Sequence, residues 1–424
     1  MSRFALLLVV SLFGLSITAS AADWPQWRGP NRDDISSETG LLKTWPEGGP
    51  KLLWESKDAG IGYSGPAVVG DRLYIMGAFG DTEKVYAVDV KNGEKLWATE
   101  IGSLLTNNWG DGPRGTPTVD GEVLYVISAQ GNLVCVETAG GKKRWSRSIV
   151  KDLGGSKPNW GYTESPLVDG DKVLCTPGGS RGTIAALNKK TGDLIWQSKE
   201  VTYPAHYASI IVADVGGVRQ YVQLTPKGVI GVAAADGRLL WEIHEGSNGT
   251  ATIPTPIFHD DHVYVTSDYG TGCALIKLVA SGEGIKAEKV YANKNMENHH
   301  GGVVLLDGKL YGCSGNAPTK WVCQDFKTGE VVWQEPKKLD KGSLTYADGH
   351  FYCYGQKDGT VVLLRASPEG WKEDGRFKIP HETKVARKSG HIWTHPVVAN
   401  GRLYLRDEDL LYCFDIKDPG VSTP

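Results

Sequence analysis

Residues 87–97 read AVDVKNGEKLW and residues 323–333 read CQDFKTGEVVW. The same unit recurs when the chain is aligned on Trp97, Trp145, Trp196, Trp241 and Trp333. Four residues before each Trp stands a glycine: Gly93, Gly141, Gly192, Gly237 and Gly329. Eight before stand Asp89, Glu137, Asn188, Ala233 and Asp325, and ten before stand the small residues Ala87, Cys135, Ala186, Gly231 and Cys323. Glycine in N-G, G-G, T-G and D-G pairs supplies the positive φ of a tight hairpin turn. The flanking residues alternate as strands do. Each unit therefore predicts two antiparallel strands that end on a Trp.

A second anchor lies upstream. Pro66, Pro117, Pro166, Pro256 and Pro396 each precede a strand-like run with Tyr74, Tyr125, Leu174, Tyr264 or Tyr404 eight residues on. Proline is tolerated at the first residue of a strand, where its missing N–H is not needed. The same offset without proline joins Val303 to Tyr311 and Leu344 to Tyr352, and a stretched copy joins Ser209 to Tyr221. Eight four-stranded units result, about 47 residues apart, which is the repeat length of a β-propeller. The eighth unit, LYLRDEDLLYCFDIK, lacks a Trp-bearing strand, and KLLWESK (51–57, with Trp54) supplies one from the other end. The expected fold is all-β, an eight-bladed propeller of four-stranded antiparallel blades closed by the N-terminal strand. Two units are degenerate: the fifth has AEKVY in place of the Trp strand, and the seventh has PEGW at a different offset.

Composition agrees. The chain has 424 residues, 40% hydrophobic and 22% charged, which excludes disorder. A formal charge of −3 disfavours a nucleic-acid partner. Residues 1–21 read as a cleaved secretory signal: Arg3, an apolar run from Phe4 to Leu15 and the A-x-A site Ala19-Ser20-Ala21. The run is too short to span a membrane, and no cysteine follows it for lipid attachment. The expected organisation is a signal peptide at 1–21, an N-terminal extension at 22–50, the propeller at 51–416 and a tail at 417–424. The expected location is periplasmic or secreted, as a monomer without a transmembrane span.

The A-x-D-x-x-x-G-x-x-x-W unit resembles the tryptophan-docking motif of the pyrroloquinoline-quinone (PQQ) propeller repeat, over about residues 51–416. That family includes quinoprotein alcohol dehydrogenases and BamB, the propeller subunit of the outer-membrane β-barrel assembly machinery. WPQWRGPNR (24–32) also resembles the start of propellers described as polyvinyl-alcohol dehydrogenase-like. The resemblance implies that the docking Trp stacks between blades. It leaves two functions open: a binding or scaffolding propeller like BamB, or a PQQ-dependent alcohol or sugar dehydrogenase holding the cofactor with Ca²⁺.

Several features weigh against the dehydrogenase. There is no adjacent Cys-Cys pair, no C-x-x-C-H haem site and little chain beyond eight minimal blades. A hydrolase or lyase using channel carboxylates and histidines is a third, weaker reading. Cys135, Cys323 and Cys413 fall at the small docking position and Cys175 and Cys353 in second strands, as buried hydrophobes do. Cys313 and Cys323, on consecutive strands, leave a disulfide open.

Candidate ligand-binding residues cluster just before first strands. Arg114, His206, His300, Lys341 and Trp393 each stand three residues before an anchor, so they belong at one height around the axis. Glu164 stands two before Pro166 and is expected nearby, with His299, His391, His395 and the paired stretches Asn108-Trp109 and Asn159-Trp160. Such a mouth suits a small sugar, carboxylate or quinone, or a protein partner. With histidines in it, binding is expected to vary between about pH 5 and 8. No catalytic residue and no metal site is assigned. His244, His259, His262, His350 and His381 read as solvated turn residues.

Overall fold

A computed structural model describes residues 22–420 apart from Glu283, Asn316 and Ala317. The expected signal peptide and the last four residues lie outside the described residues. Among those residues every regular element is a strand. The strands form eight antiparallel sheets whose order follows the sequence. Blades 1 to 7 span residues 67–103, 118–148, 167–197, 211–243, 257–293, 303–336 and 342–378. Blade 8 spans 397–415 and takes its fourth strand from Lys51–Ser56. First strands of neighbouring blades lie side by side around the central axis. The propeller read from the repeats is therefore present, closed as expected.

The docking motif has a simple geometry. Trp97, Trp145, Trp196, Trp241 and Trp333 sit directly across the ladder from Ala87, Cys135, Ala186, Gly231 and Cys323, and Trp54 sits across from Cys413. In each case the register slips by one residue at that pair, a β-bulge that re-aims the side chain. The opposite residue is small because the indole lies over it. The ring then reaches the next blade, where the indole N–H donates to a turn carbonyl: Trp54 to Val90 at 2.8 Å, Trp97 to Thr138 at 3.0 Å and Trp145 to Lys189 at 3.1 Å.

The degenerate blades keep the packing by other means. In blade 5, Tyr291 occupies the Trp position opposite Leu275, and its hydroxyl donates to Phe326 O at 3.0 Å. A larger partner residue is matched by a smaller ring. In blade 7 the position falls to Gly375, opposite Leu363, and the gap is filled from outside by Trp45. Trp45 donates its backbone N–H to Asp374 O at 3.0 Å and packs edge-on to Phe377. Trp371 of the PEGW stretch instead turns back onto Trp321 and Trp333 of blade 6.

The extension before the closing strand is built into the ring. Trp24 bridges Val68 of blade 1, and Pro25 O accepts from Val119 N of blade 2. Arg32 donates to the carbonyls of Ser165, Pro166 and Ile210 at the start of blades 3 and 4. Arg28 donates to Thr255 O and to Val303 O, beside blades 5 and 6, and pairs with Asp34 at 2.6 Å. Ile35–Ser36 adds a parallel strand to blade 7, and Glu38 accepts from Asn400 and Gly401 of blade 8. Residues 24–38 thus cross the axis and touch all eight blades. Arg28, Arg32 and Asp34 have φ of 61°, 58° and 60°, left-handed turns held open by these bonds. The buried guanidiniums of Arg28 and Arg32 are met by carbonyls at and just before the first strands, and Arg28 also by the Asp34 carboxylate.

All seven cysteines are buried free thiols. Cys323 lies opposite Tyr311 and Cys313 opposite Trp321. His350, read from the sequence as solvated, is buried, with Nε2 2.9 Å from Asp374 Oδ2.

Candidate functional site

The segments entering the first strands are extended, so their side chains alternate in direction. Tyr63, Arg114, Thr163, Ile253, His300 and Trp393 stand three residues before the anchors, and Ser165, Thr255 and His395 one before. All of them line one cavity at the channel mouth, of about 160 Å³. Trp27 from the crossing segment also lines it. Its indole donates to Thr255 Oγ1 at 2.9 Å, and its ring meets His395 edge-on at 4.6 Å. The cavity is therefore a blind pocket with a floor.

Two aromatic arcs form its walls. On one side Trp109 meets Trp160 edge-on, Trp160 stacks on Tyr207 at 5.0 Å, and His206 stacks behind Tyr207 at 5.1 Å. On the other side Tyr63 packs on Trp393 at 5.3 Å, Trp393 meets His299 and His300, and Tyr269 meets His299. Arg114 lies over the Tyr63 ring at 4.8 Å, and its Nη2 donates to Gly110 O at 2.7 Å.

Of the thirteen candidates read from the sequence, seven line this cavity: Trp109, Arg114, Trp160, His299, His300, Trp393 and His395. The other six do not. Glu164 is one residue out of phase, so alternation sends it between blades, where it accepts from the Thr176 N–H, the Thr176 hydroxyl at 2.7 Å and the Gln223 amide. Lys341 is drawn to Asp268, 3.4 Å away and also buried. His206 turns its Nδ1 to Thr252 Oγ1 at 3.0 Å. His391 stands on the exposed side of Trp393, and Asn108 and Asn159 are exposed beside their inward tryptophans. Sequence reasoning missed Tyr63, Tyr207, Tyr269 and the floor residue Trp27. Tyr63 had a legible signal, because it shares the offset of Arg114.

Burial works against the expected histidine switch. Burial pushes His206 and His395 down to about 4 and His299 to about 3, and Lys341 adds repulsion at His299. Burial, with neighbouring His299 and His395, holds His300 well below the usual range. Burial therefore favours the neutral form of each of these imidazoles. Glu164 goes the other way: burial raises it to about 7 against its hydrogen bonds from Thr176.

The fold family implies PQQ with Ca²⁺, and the lining does not match that pair. PQQ carries three carboxylates, whereas the cavity offers Arg114 as its permanent cation and no acidic side chain that would hold Ca²⁺. Among the described residues no group of three or more His, Cys, Asp or Glu is placed to hold a metal ion.

Known proteins agree with the fold. The family model described as "Outer membrane protein assembly factor BamB" matches residues 50–161 and 81–335. The BamB of Burkholderia pseudomallei is 29% identical over 256 residues, covering 50% of this chain and 64% of that protein. The BamB of Shewanella oneidensis is 24% identical over 230 residues, covering 53% of each. The matches thus span roughly half to two thirds of these curated relatives' lengths. Lupanine 17-hydroxylase [cytochrome c] of a Pseudomonas species is 29% identical, over only 34% of this chain and 22% of its own. Among solved structures, the quinohemoprotein alcohol dehydrogenase of Comamonas testosteroni superposes with a TM-score of 0.61 at 13% identity, covering 95% of this chain and 81% of that one. At that identity the likeness concerns the fold alone. With its docking geometry and the extent of the family match, the chain belongs to the PQQ-like propeller family of the outer membrane protein assembly factor BamB.

Proposed function

We propose that this chain is an extracytoplasmic binding propeller that holds a small polar ligand in the pocket at its channel mouth. The observation that carries this reading is the floor. The crossing segment floors the channel, and the cavity above it is lined by four tryptophans, Trp27 of the floor included, and three tyrosines, with Arg114, three histidines and five Ser and Thr residues between them. Concave, largely apolar sites with a few placed polar groups are the usual form of a small-molecule site. The location rests on the signal sequence expected at residues 1–21. The family's assembly-factor members support a binding role over a catalytic one. The donor set of the lining disfavours a PQQ dehydrogenase.

The test is a thermal-shift screen of the purified protein against sugars, organic acids, quinones and peptides, with a dye-reduction assay in PQQ, Ca²⁺ and alcohols alongside. Ligand-dependent stabilisation that is lost in Trp393→Ala, with no dye reduction, is expected. Robust dye reduction replaces the reading with a dehydrogenase.

A further inference from the structure

The crossing segment begins and ends at one carboxylate. The backbone nitrogen of Ala22 donates to Glu38 Oε1 at 2.8 Å, across 16 residues of chain. Glu38 Oε1 also accepts from Asn400 N at 2.8 Å, and Oε2 accepts from Gly401 N at 3.0 Å. Asn400 and Gly401 form the turn between the first two strands of blade 8, with φ of 58° and 67°. Glu38 thus gathers one N–H from the start of the crossing segment and two from the last blade.

The residues after Ala22 hold its nitrogen in that place. Asp23 Oδ1 accepts from Gly70 N at 2.9 Å. Trp24 N donates to Val68 O at 2.7 Å, and Trp24 O accepts from Val68 N at 2.8 Å. These bonds fix Ala22 from its C-terminal side, against blade 1. The turns of blades 8 and 1 also meet directly, where Asn400 Nδ2 donates to Gly70 O at 3.1 Å.

An unrelated signal in the sequence points to the same nitrogen. The A-x-A site Ala19-Ser20-Ala21 directs a signal peptidase to the bond between Ala21 and Ala22. Hydrolysis there adds one water: Ala21 leaves with a carboxylate, and Ala22 keeps the nitrogen as an α-ammonium. An α-amino group of ordinary pKa, about 7.7–8.0, is mostly protonated at neutral pH. The attraction of opposite charges is then added to the hydrogen bond already in place at Glu38.

Resting on the extracytoplasmic location proposed above, we infer that export processing completes the ring. The mature chain begins at Ala22, and its new α-ammonium pairs with Glu38, clasping the chain start to blade 8 at the seam with blade 1. A start further upstream carries the charge past the carboxylate by up to about 3.5 Å per residue. A start at Asp23 leaves Glu38 without this donor.

Two measurements test this. Intact mass and N-terminal sequencing of the exported protein should give a chain that starts at Ala22. Export with any other start overturns the clasp and leaves the location standing, whereas a chain retained in the cytoplasm overturns both. The ion pair is measured separately, on two purified chains made without export. One begins at Ala22, and the other carries two extra residues, glycine and serine, ahead of it. Hydrogen exchange at the Trp24, Val68 and Gly70 amides should be about 2- to 5-fold slower in the first, which is what a half-exposed ion pair is worth. The difference should vanish in Glu38→Gln and shrink in about 1 M salt. A merely structural Glu38 would slow exchange equally in both chains, so the difference between them isolates the pair. Equal exchange in the two chains, or a difference that survives Glu38→Gln, overturns the clasp. Should Glu38→Gln fail to fold, the salt series decides alone, and a difference unchanged by salt overturns it.

Discussion

The indole of Trp54 lies directly on the α-carbon of Gly93: a Cβ at Gly93 would stand 2.7 Å from Trp54 Cε3. The two residues belong to the closing strand and to the hairpin turn of blade 1. The same relation joins Trp97 to Gly141 and Trp145 to Gly192. The Gly and Trp of one repeat therefore do not serve each other. Trp54, Trp97, Trp145 and Trp196 are each received by the glycine of the next blade, so there the motif is the interface between blades.

This gives a first prediction. Trp54→Ala should cost about 3–5 kcal/mol, as for other buried aromatic truncations. Gly93→Ala should also destabilise, since φ there is 76° as well as the site being filled. Because both changes remove one contact, the double variant should lose clearly less than the sum. Urea unfolding of the three variants measures this. Strict additivity would mean that the ring does not depend on this seat.

A second prediction concerns the crossing segment. Asp34→Ala leaves Arg28 buried without its partner and should cost about 3–5 kcal/mol. Replacing Arg28 and Asp34 together by Met and Leu should recover much of that loss, because neither charge then remains to be desolvated. Chemical denaturation of the single and double variants checks it. Deletion of residues 22–50 should remove the pocket floor and lower the melting temperature sharply, although the closing strand is retained.

The histidines set a third. His206, His299 and His395 sit at about 4, 3 and 4 in the fold against about 6.5 when unfolded. The unfolded chain binds more protons between these values. Their contribution to stability is therefore complete above about pH 6.5 and is lost as pH falls toward 4. Melting curves should decline steeply across that window, and His206→Phe, which keeps the stack on Tyr207, should flatten the slope by about one proton. Ligand affinity should be level from pH 5 to 8.

Glu164 gives the opposite sign. Its folded value of about 7 exceeds the unfolded value of about 4.5. Its contribution is present below pH 4.5 and lost as pH rises through 7. Glu164→Gln should be closest to the parent in acid and gain on it above pH 7, in the same melting series.

The repeats made most of the fold legible. The spacing of Trp, Gly and the small residue is a register statement, and it placed the blades, the bulges and the seam at Trp54. Anchor offsets were informative for the same reason, which is how Arg114, His300 and Trp393 were brought to one cavity. The reading went astray at Glu164 because height around the axis is not direction, and a single step in an extended segment reverses the side chain. It went astray at Lys341 because Asp268 belongs to another blade. The crossing segment was hidden for a different cause. Residues 24–38 occur once, have no period and bond mostly to backbone carbonyls, which leave no mark in a sequence. Trp45 could not be assigned to blade 7 because its seat is marked only by an unremarkable glycine, Gly375.

The crossing segment also imposes an order in time. Glu38 bonds to Gly401 across 363 residues, Leu41 to Asp348 across 307 and Arg28 to Val303 across 275. These residues leave the ribosome early, yet their partners are synthesised last, roughly tens of seconds later at ordinary elongation rates. Until then Trp45 lacks its seat at Gly375, Trp27 its contact with His395 and the strand of Trp54 its partner strand. Closing so long a loop adds little to the equilibrium cost, which grows only with the logarithm of length. It slows the search instead, since folding slows as contacts become more distant in sequence. The ring's weakness is thus in its assembly: an unfinished propeller carries an unpaired strand with Trp54 at one end and an unpaired sheet edge at the other, free to pair with a neighbouring chain before its own last blade arrives.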